Sequence, residues 1–192
     1  MIRIGIIGDF LKTANILSVI LSSEKKDIRI INFNNFDEKI KQTEDFLIIG
    51  IAPPNILSSK INNLKLNILI INETDTYSNL SFPPLSLCPN GIILINSDNK
   101  SPFKASKSEN SYIITFGYNP KSSVTISSVT AGNYNTIQIY IQRNLPTILG
   151  DLIEEQEFSI NIHANDIAPV LSAITAALSA GISINTIKSI SI

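Results

Sequence analysis

The first hundred residues alternate continuous apolar runs with polar or amphipathic stretches. Four runs have the length and composition of strands buried on both faces, at Ile2–Ile7, Phe46–Ile51, Leu66–Ile71 and Gly91–Asn96. A helical pattern over 14–23 leads to a further strand at 28–32, and a short helix is predicted over 34–42. This strand–helix–strand order predicts a mostly parallel sheet with right-handed crossovers over residues 1–100.

The second half of the chain has a different pattern. Apolar and polar residues alternate at Val124–Val129 and Thr136–Gln142, which predicts half-exposed antiparallel strands. Strands at 112–115 and 158–162 complete an antiparallel part over 110–162. A C-terminal helical part follows over 163–192, with Asn165 or Asp166 as its N-cap and Gly181 at the end of its first helix. The prediction is a single α/β domain over residues 1–192.

The turn after the first strand carries the candidate chemistry. The strand ends at Gly8, and Lys12 and Thr13 open the next helix, which is the layout of a phosphate-binding loop. The full pattern G-x-x-x-x-G-K-[ST] is not met, because its two glycines fall on Ile6 and Leu11. From the residues alone, an ordinary strand-to-helix turn is the favoured interpretation.

Composition narrows the range of partners. Net charge is −1 with 16% charged residues, so the chain lacks the basic footprint of a nucleic-acid-binding protein. No apolar run has the length of a membrane span, and no signal peptide is evident, so a cytoplasmic protein without membrane contact is expected. Cys88 is the single cysteine and His163 the single histidine. We do not expect them to form a catalytic pair, because Cys88 lies in a Pro/Ser-rich stretch without an activating motif.

Six segments, in order, resemble the central ATPase domain of the Mur ligase family, whose members add amino acids to peptidoglycan precursors, and the related folylpolyglutamate synthase. The first segment, GIIGDFLKT, lies without gaps over a family loop of the form GITGTNGKT. The resemblance implies a mostly parallel sheet with P-loop-NTPase-like topology, flanked by helices, with a small antiparallel sheet in the second half. The six segments are Gly5–Thr13, Asp45–Pro53, Asn63–Tyr77, Gly91–Asn99, Ile113–Gly117 and His163–Gly181.

The same resemblance implies a nucleotide site. The loop residues would approach the phosphates of ATP and its Mg²⁺, and two residues after the fourth apolar strand would approach the base and ribose. The implied nucleotide-binding residues are Gly5, Gly8, Lys12, Thr13, Asn96 and Asp98.

Several family positions have lost their chemistry in this chain. Gly50 stands where the family has a magnesium-binding glutamate, and Leu11 replaces the glycine before the loop lysine. Asp9 would repel phosphate. No catalytic or metal-binding residue is therefore predicted. Further departures are Thr76 and Tyr77 for an aspartate–histidine pair, the absence of lysine between 76 and 90, and Asn165, Asp166 and Pro169 in the helix motif.

Three functional hypotheses follow. The first is a non-catalytic or weakly ATP- and Mg²⁺-binding protein that acts through protein contacts, as a homodimer or beside a true ligase. The second is an ATP-dependent carboxylate–amine ligase subunit of peptidoglycan-type metabolism, completed by a partner chain, since the sequence ends at Ile192 where the family continues into another domain. The third, a dinucleotide-binding Rossmann domain, is disfavoured because Gly5 and Gly8 do not form G-x-G-x-x-G.

Overall fold

The computed structural model describes residues 1–36, 43–52, 64–73, 87–99, 111–132, 135–163 and 166–192. Three helices lie in these ranges: α1 (Phe10–Ser23), α2 (Ile167–Ser179) and α3 (Ile184–Lys188). The strands described are β1 (Ile2–Ile7), β2 (Ile28–Asn32), β3 (Phe46–Gly50), β4 (Leu66–Ile71), β5 (Leu87–Asn96), β6 (Tyr112–Phe116), β7 (Val124–Thr130), β8 (Asn135–Ile141), β9 (Leu145–Pro146), β10 (Leu152–Ile153) and β11 (Gln156–Ile162).

Nine of the strands form one sheet, in the order β11-β8-β7-β6-β5-β4-β1-β3-β2. The strands from β2 to β6 pair in parallel, and β7 also pairs in parallel with β6 at Phe116 and Val124, whereas β7, β8 and β11 pair antiparallel with one another. Strands β9 and β10 form a separate two-stranded antiparallel sheet. The predicted fold class, a mostly parallel sheet flanked by helices with a small antiparallel sheet, is confirmed.

Several local assignments differ from the sequence expectation, and β5 begins at Leu87 instead of Gly91. Strand β6, placed among the antiparallel strands, pairs in parallel with β5, so the parallel part extends to Phe116. Its Ile114 and Phe116 are buried in the same core as Ile92 and Leu94 of β5. A short 3₁₀ turn occupies Phe33–Asn35 at the start of the predicted helix over 34–42, and residues 37–42 lie outside the described ranges.

The sheet buries side chains on both faces, as its continuous apolar strands require. On one face, α1 and α2 pack against each other and cover the larger core, which includes Ile4, Ile6 and Leu94. The other face carries a second core around Ile49 and Leu69. Helix α2 is buried along nearly its whole length, and its many alanines allow close packing. This packing places the first turn of α2 beside the first turn of α1.

Candidate functional site

The loop between β1 and α1 is a tight left-handed turn. Gly8 has φ +73°, and Asp9 follows with φ 40° and ψ 44° before α1 begins at Phe10. A Cβ on Gly8 would lie 2.8 Å from the Cβ of Glu73. Glycine is therefore required at position 8 both by the backbone conformation and by the approach of the residues that follow β4.

Asn72, at the end of β4, is a buried amide that holds this loop in place. Its Nδ2 donates to the carbonyl of Gly8 at 2.9 Å and to Oγ1 of Thr13 at 3.0 Å, and its Oδ1 accepts from Oγ of Ser172 at 2.7 Å. The Asn72 backbone N–H also donates to the carbonyl of Ile7 at 2.9 Å. One side chain thus connects the loop, α1 and α2. This role of Asn72 was not predicted from the sequence, although a polar residue at the end of a buried strand could have indicated it.

Lys12 is engaged by two carboxylates. Its Nζ lies 2.7 Å from Oδ2 of Asp166 and 3.8 Å from Oδ2 of Asp9. The hydrogen bond to Asp166 raises the pKa of Lys12, with smaller contributions from the nearby charges of Asp9 and Asp166. Asp166 occupies the N-cap position of α2, as predicted, but its side chain makes no capping hydrogen bond there. The Asp166 side chain instead forms the ion pair with Lys12.

Thr13 is fully buried, and its hydroxyl oxygen accepts the hydrogen bond from Asn72. A metal or phosphate could reach this hydroxyl only after the contact between α1 and β4 opened. The role predicted for Thr13 opposite a magnesium ion stays a prediction, and in this structure Asn72 holds its hydroxyl.

Asn96 and Asp98 lie at the end of β5 and organise their own surroundings. Asn96 Nδ2 donates to the carbonyl of Asn72 at 3.1 Å, and its Oδ1 accepts from the N–H of Asp98 at 3.0 Å. The two carboxylate oxygens of Asp98 accept from the N–H groups of Tyr118 and Asn119, at 2.8 and 2.9 Å. Both side chains hold loops through these hydrogen bonds, so fewer of their polar atoms are available to a nucleotide.

Gly5 lies inside β1, paired with Ile49 and Leu69. A Cβ at this position would meet the side chain of Leu66 at 2.7 Å, so the glycine is explained by packing. The structure thus gathers Gly8, Lys12, Thr13, Asn96 and Asp98 around the carboxyl ends of β1, β4 and β5 and leaves Gly5 within the sheet. Their assignment to nucleotide binding stays a prediction.

A pocket of about 230 Å³ opens at this end of the sheet. Three acidic residues, Asp9, Glu73 and Asp98, contribute to its wall. Unlike charges attract and like charges repel, so this wall disfavours a polyphosphate. The remaining lining residues are neutral: Asn72, Asn96, Asn99, Ala168 and Pro169.

Gly50, which stands where the Mur ligase family has a glutamate, has no space for a side chain. A Cβ built on Gly50 would lie 2.5 Å from the aromatic ring of Phe10, so that ring covers the space a side chain would need. Within the described ranges, no group of three or more His, Cys, Asp or Glu residues is arranged to hold a metal ion. In this arrangement Lys12 is bound by Asp166 and the Thr13 hydroxyl by Asn72, so both groups would have to leave these partners to bind ATP or Mg²⁺.

Cys88 and His163, the single cysteine and the single histidine, lie away from this pocket. The thiol of Cys88, in β5, donates to the carbonyl of Lys65 at 3.1 Å, and His163 follows β11 on the far side of β6, β7 and β8. Among the described residues, no helix has both the length and the apolar character needed to cross a membrane.

The fold is similar to that of solved Mur ligases. No protein-family model matches the sequence, and no curated protein matches it. MurF from Acinetobacter baumannii matches 98% of this chain with a TM-score of 0.66 and 13% identity. MurF from Thermotoga maritima, in complex with ADP, matches 98% with a TM-score of 0.63 and 10% identity. A UDP-N-acetylmuramoyl-L-alanyl-D-glutamate–2,6-diaminopimelate ligase matches 98% with a TM-score of 0.69 and 12% identity.

The match covers only part of each ligase. This chain spans 45%, 48% and 45% of the three proteins, a little under half of their length. At these identities the likeness establishes the Mur-ligase-like fold, which confirms the fold implied by the six segments.

Proposed function

We propose that this chain is a Mur-ligase-like module that does not carry out ATP-dependent ligation by itself and that acts through contacts with other proteins, in the cytoplasm. The observation that supports this proposal is the state of Lys12, whose ammonium group is already bound by Asp166 at 2.7 Å and approached by Asp9 at 3.8 Å. In a working phosphate loop, the lysine is available for the β- and γ-phosphates.

The charges around Lys12 explain why nucleotide would bind weakly. A phosphate entering the pocket would meet the carboxylates of Asp9, Glu73 and Asp98. Two unit charges 4 Å apart interact by about 1 kcal/mol in water and by about 4 kcal/mol at the effective dielectric of a protein surface. Several such repulsions outweigh the attraction of one lysine, which must also leave Asp166. Any binding of ATP is therefore expected at millimolar concentration or weaker.

Calorimetric titration with ATP, with and without magnesium, tests the proposal. We expect no saturable heat below about 1 mM ATP. A dissociation constant of about 1 mM corresponds to about −4 kcal/mol of binding free energy. Lys12→Ala is the matched control, because it removes the proposed phosphate ligand from an exposed position. Saturable binding in the unaltered chain that disappears in Lys12→Ala would refute the proposal.

A second candidate is an ATP-dependent, amide-bond-forming ligase subunit of peptidoglycan-type metabolism. It is favoured by the Mur-ligase-like fold. A partner chain would then complete the nucleotide contacts. MgATP hydrolysis that appears only with a co-purifying protein, and that Lys12→Ala abolishes, would support this candidate over the first.

A further inference from the structure

The nine-stranded sheet ends in two edge strands, β2 and β11, which differ in how they are covered. At the β11 edge, the N–H of Ile192 donates to the carbonyl of Asn161 at 3.1 Å, and the N–H of His163 donates to the carbonyl of Ile192. The end of the chain thus pairs with part of β11. In the described ranges, no strand pairs with the outer edge of β2.

The backbone of β2 shows which peptide groups are available. The carbonyl of Asp27 accepts from the N–H of Phe46 at 3.0 Å, at the start of the parallel pairing with β3. Alternate residues of a strand bond to the same neighbour, so Arg29 and Ile31 direct their peptide groups toward β3. The peptide groups of Ile28, Ile30 and Asn32 consequently face the open edge. Such a row of N–H and C=O groups is a template for pairing with another strand.

The side chains of β2 give it only partial protection as an edge strand. Natural edges are commonly protected by short strands, charged side chains, a proline or a bulge. Strand β2 has a five-residue length and one charged residue, Arg29, which is paired with Glu44 at 3.4 Å, while its Ile30 is 37% exposed. Strand β11 already pairs in part with the end of the chain. Among the described residues, the β2 edge is therefore the more open of the two.

We propose that β2 pairs antiparallel with β2 of a second copy of this chain, about a two-fold axis at Ile30. This proposal names a partner for the protein contacts of the proposed function and rests on that function only in this respect. In this register Ile30 faces its own symmetry mate, Ile28 faces Asn32, and Arg29 faces Ile31. All three outward residues then find partners, with about six backbone hydrogen bonds, and no like charges stand directly opposite each other.

The packing around Ile30 adds apolar surface to this interface. Ile28 packs against the core beneath α1, and Ile30, two residues further along the strand, lies on the same face. Helix α1 contacts β2 and carries Val19, which is 49% exposed. A two-fold interface of this kind is isologous and closes at two copies, so it does not lead to fibres.

Sedimentation equilibrium of the full chain over about 1–200 µM tests the proposal, because a small interface implies micromolar affinity. We expect the mass to approach that of two chains at the upper concentrations. Ile30→Lys should reduce it to that of one chain, because two ammonium groups would face each other across the axis. The matched control is Ser159→Lys on the β11 edge, which should leave association unchanged.

Two further variants keep the test independent of folding defects. Ile30→Pro removes an outward N–H without touching the bonds to β3, and far-UV circular dichroism checks that it folds. Ile30→Cys, in a Cys88→Ser background, should cross-link with a short bismaleimide, whereas Ser159→Cys should not. A single-chain mass at every concentration, unchanged association of Ile30→Lys, or dissociation of Ser159→Lys would overturn the proposal. Lys12→Ala should associate normally whatever the nucleotide titration shows, which separates this test from that of the proposed function.

Discussion

Replacing Asn72 by leucine tests whether the buried amide holds the loop. The substitution keeps the approximate volume but removes the side-chain hydrogen bonds to Gly8, Thr13 and Ser172, at 2.9, 3.0 and 2.7 Å. Each such bond contributes about 1 kcal/mol net, and leaving its buried partner unsatisfied costs more. We therefore expect the free energy of unfolding to fall by about 3–5 kcal/mol. For a chain of this size, that corresponds to a decrease in melting temperature of about 6–20 °C.

Urea denaturation followed by circular dichroism measures this loss, and Ser172→Ala is the control. Ser172→Ala removes one of the three bonds and should cost about 1 kcal/mol. In Asn72→Leu, the same alanine removes a hydroxyl that has already lost its partner, so the two losses should not add. A loss below about 1 kcal/mol for Asn72→Leu, with an unchanged denaturant slope, would show that the loop does not depend on this amide.

Gly50→Ala should destabilise the chain by about 1–3 kcal/mol because its Cβ would meet the Phe10 ring at 2.5 Å; Phe10→Ala in the same chain should remove most of that loss in urea denaturation, and purely additive losses would contradict the contact. Asp166→Asn should lower the raised pKa of Lys12. Since a raised pKa gives stability that is present below the ordinary lysine pKa and lost as pH rises through the folded-state value, the melting-temperature difference between the two chains should shrink at alkaline pH. Burial, followed by the charges of Asp166 and Asp98, raises the pKa of Tyr118. Asp166→Asn should therefore lower it in an ultraviolet titration, with Tyr118→Phe identifying the signal; an unchanged pKa would leave burial as its cause.

The strands of the parallel part could be predicted closely because a strand buried on both faces must be apolar throughout. The predicted bounds of β4, Leu66–Ile71, are those of the structure, and β3 ends one residue early. The turn at Gly8 could also be predicted, because a strand that stops at a glycine before a helical pattern has few alternatives. The direction of β6 could not be predicted, because a five-residue run carries no information about which neighbour it pairs with.

The candidate site was predicted in its location but not in its contacts. The resemblance placed Lys12 at the loop, yet its partner Asp166 lies 154 residues further along the chain. No local pattern reveals a pair at that separation, because it is formed by the packing of α1 on α2. The sequence likewise indicated no role for Phe10, and only the folded chain shows that its ring fills the space beside Gly50.

The packing of α1 on α2 also governs the order in which a newly synthesised chain can fold. Helix α1 ends at Ser23, but α2, which covers the same core, is complete only at Ser179, about 150 residues later. Strand β5 is complete at Asn96, so at a synthesis rate of about 5–20 residues per second the shared face of β1, β4 and β5 lacks α2 for roughly 4–17 s. The native helical layer thus forms only after Ser179 has been synthesised, and the apolar face of the isoleucine-rich strands is exposed during that interval.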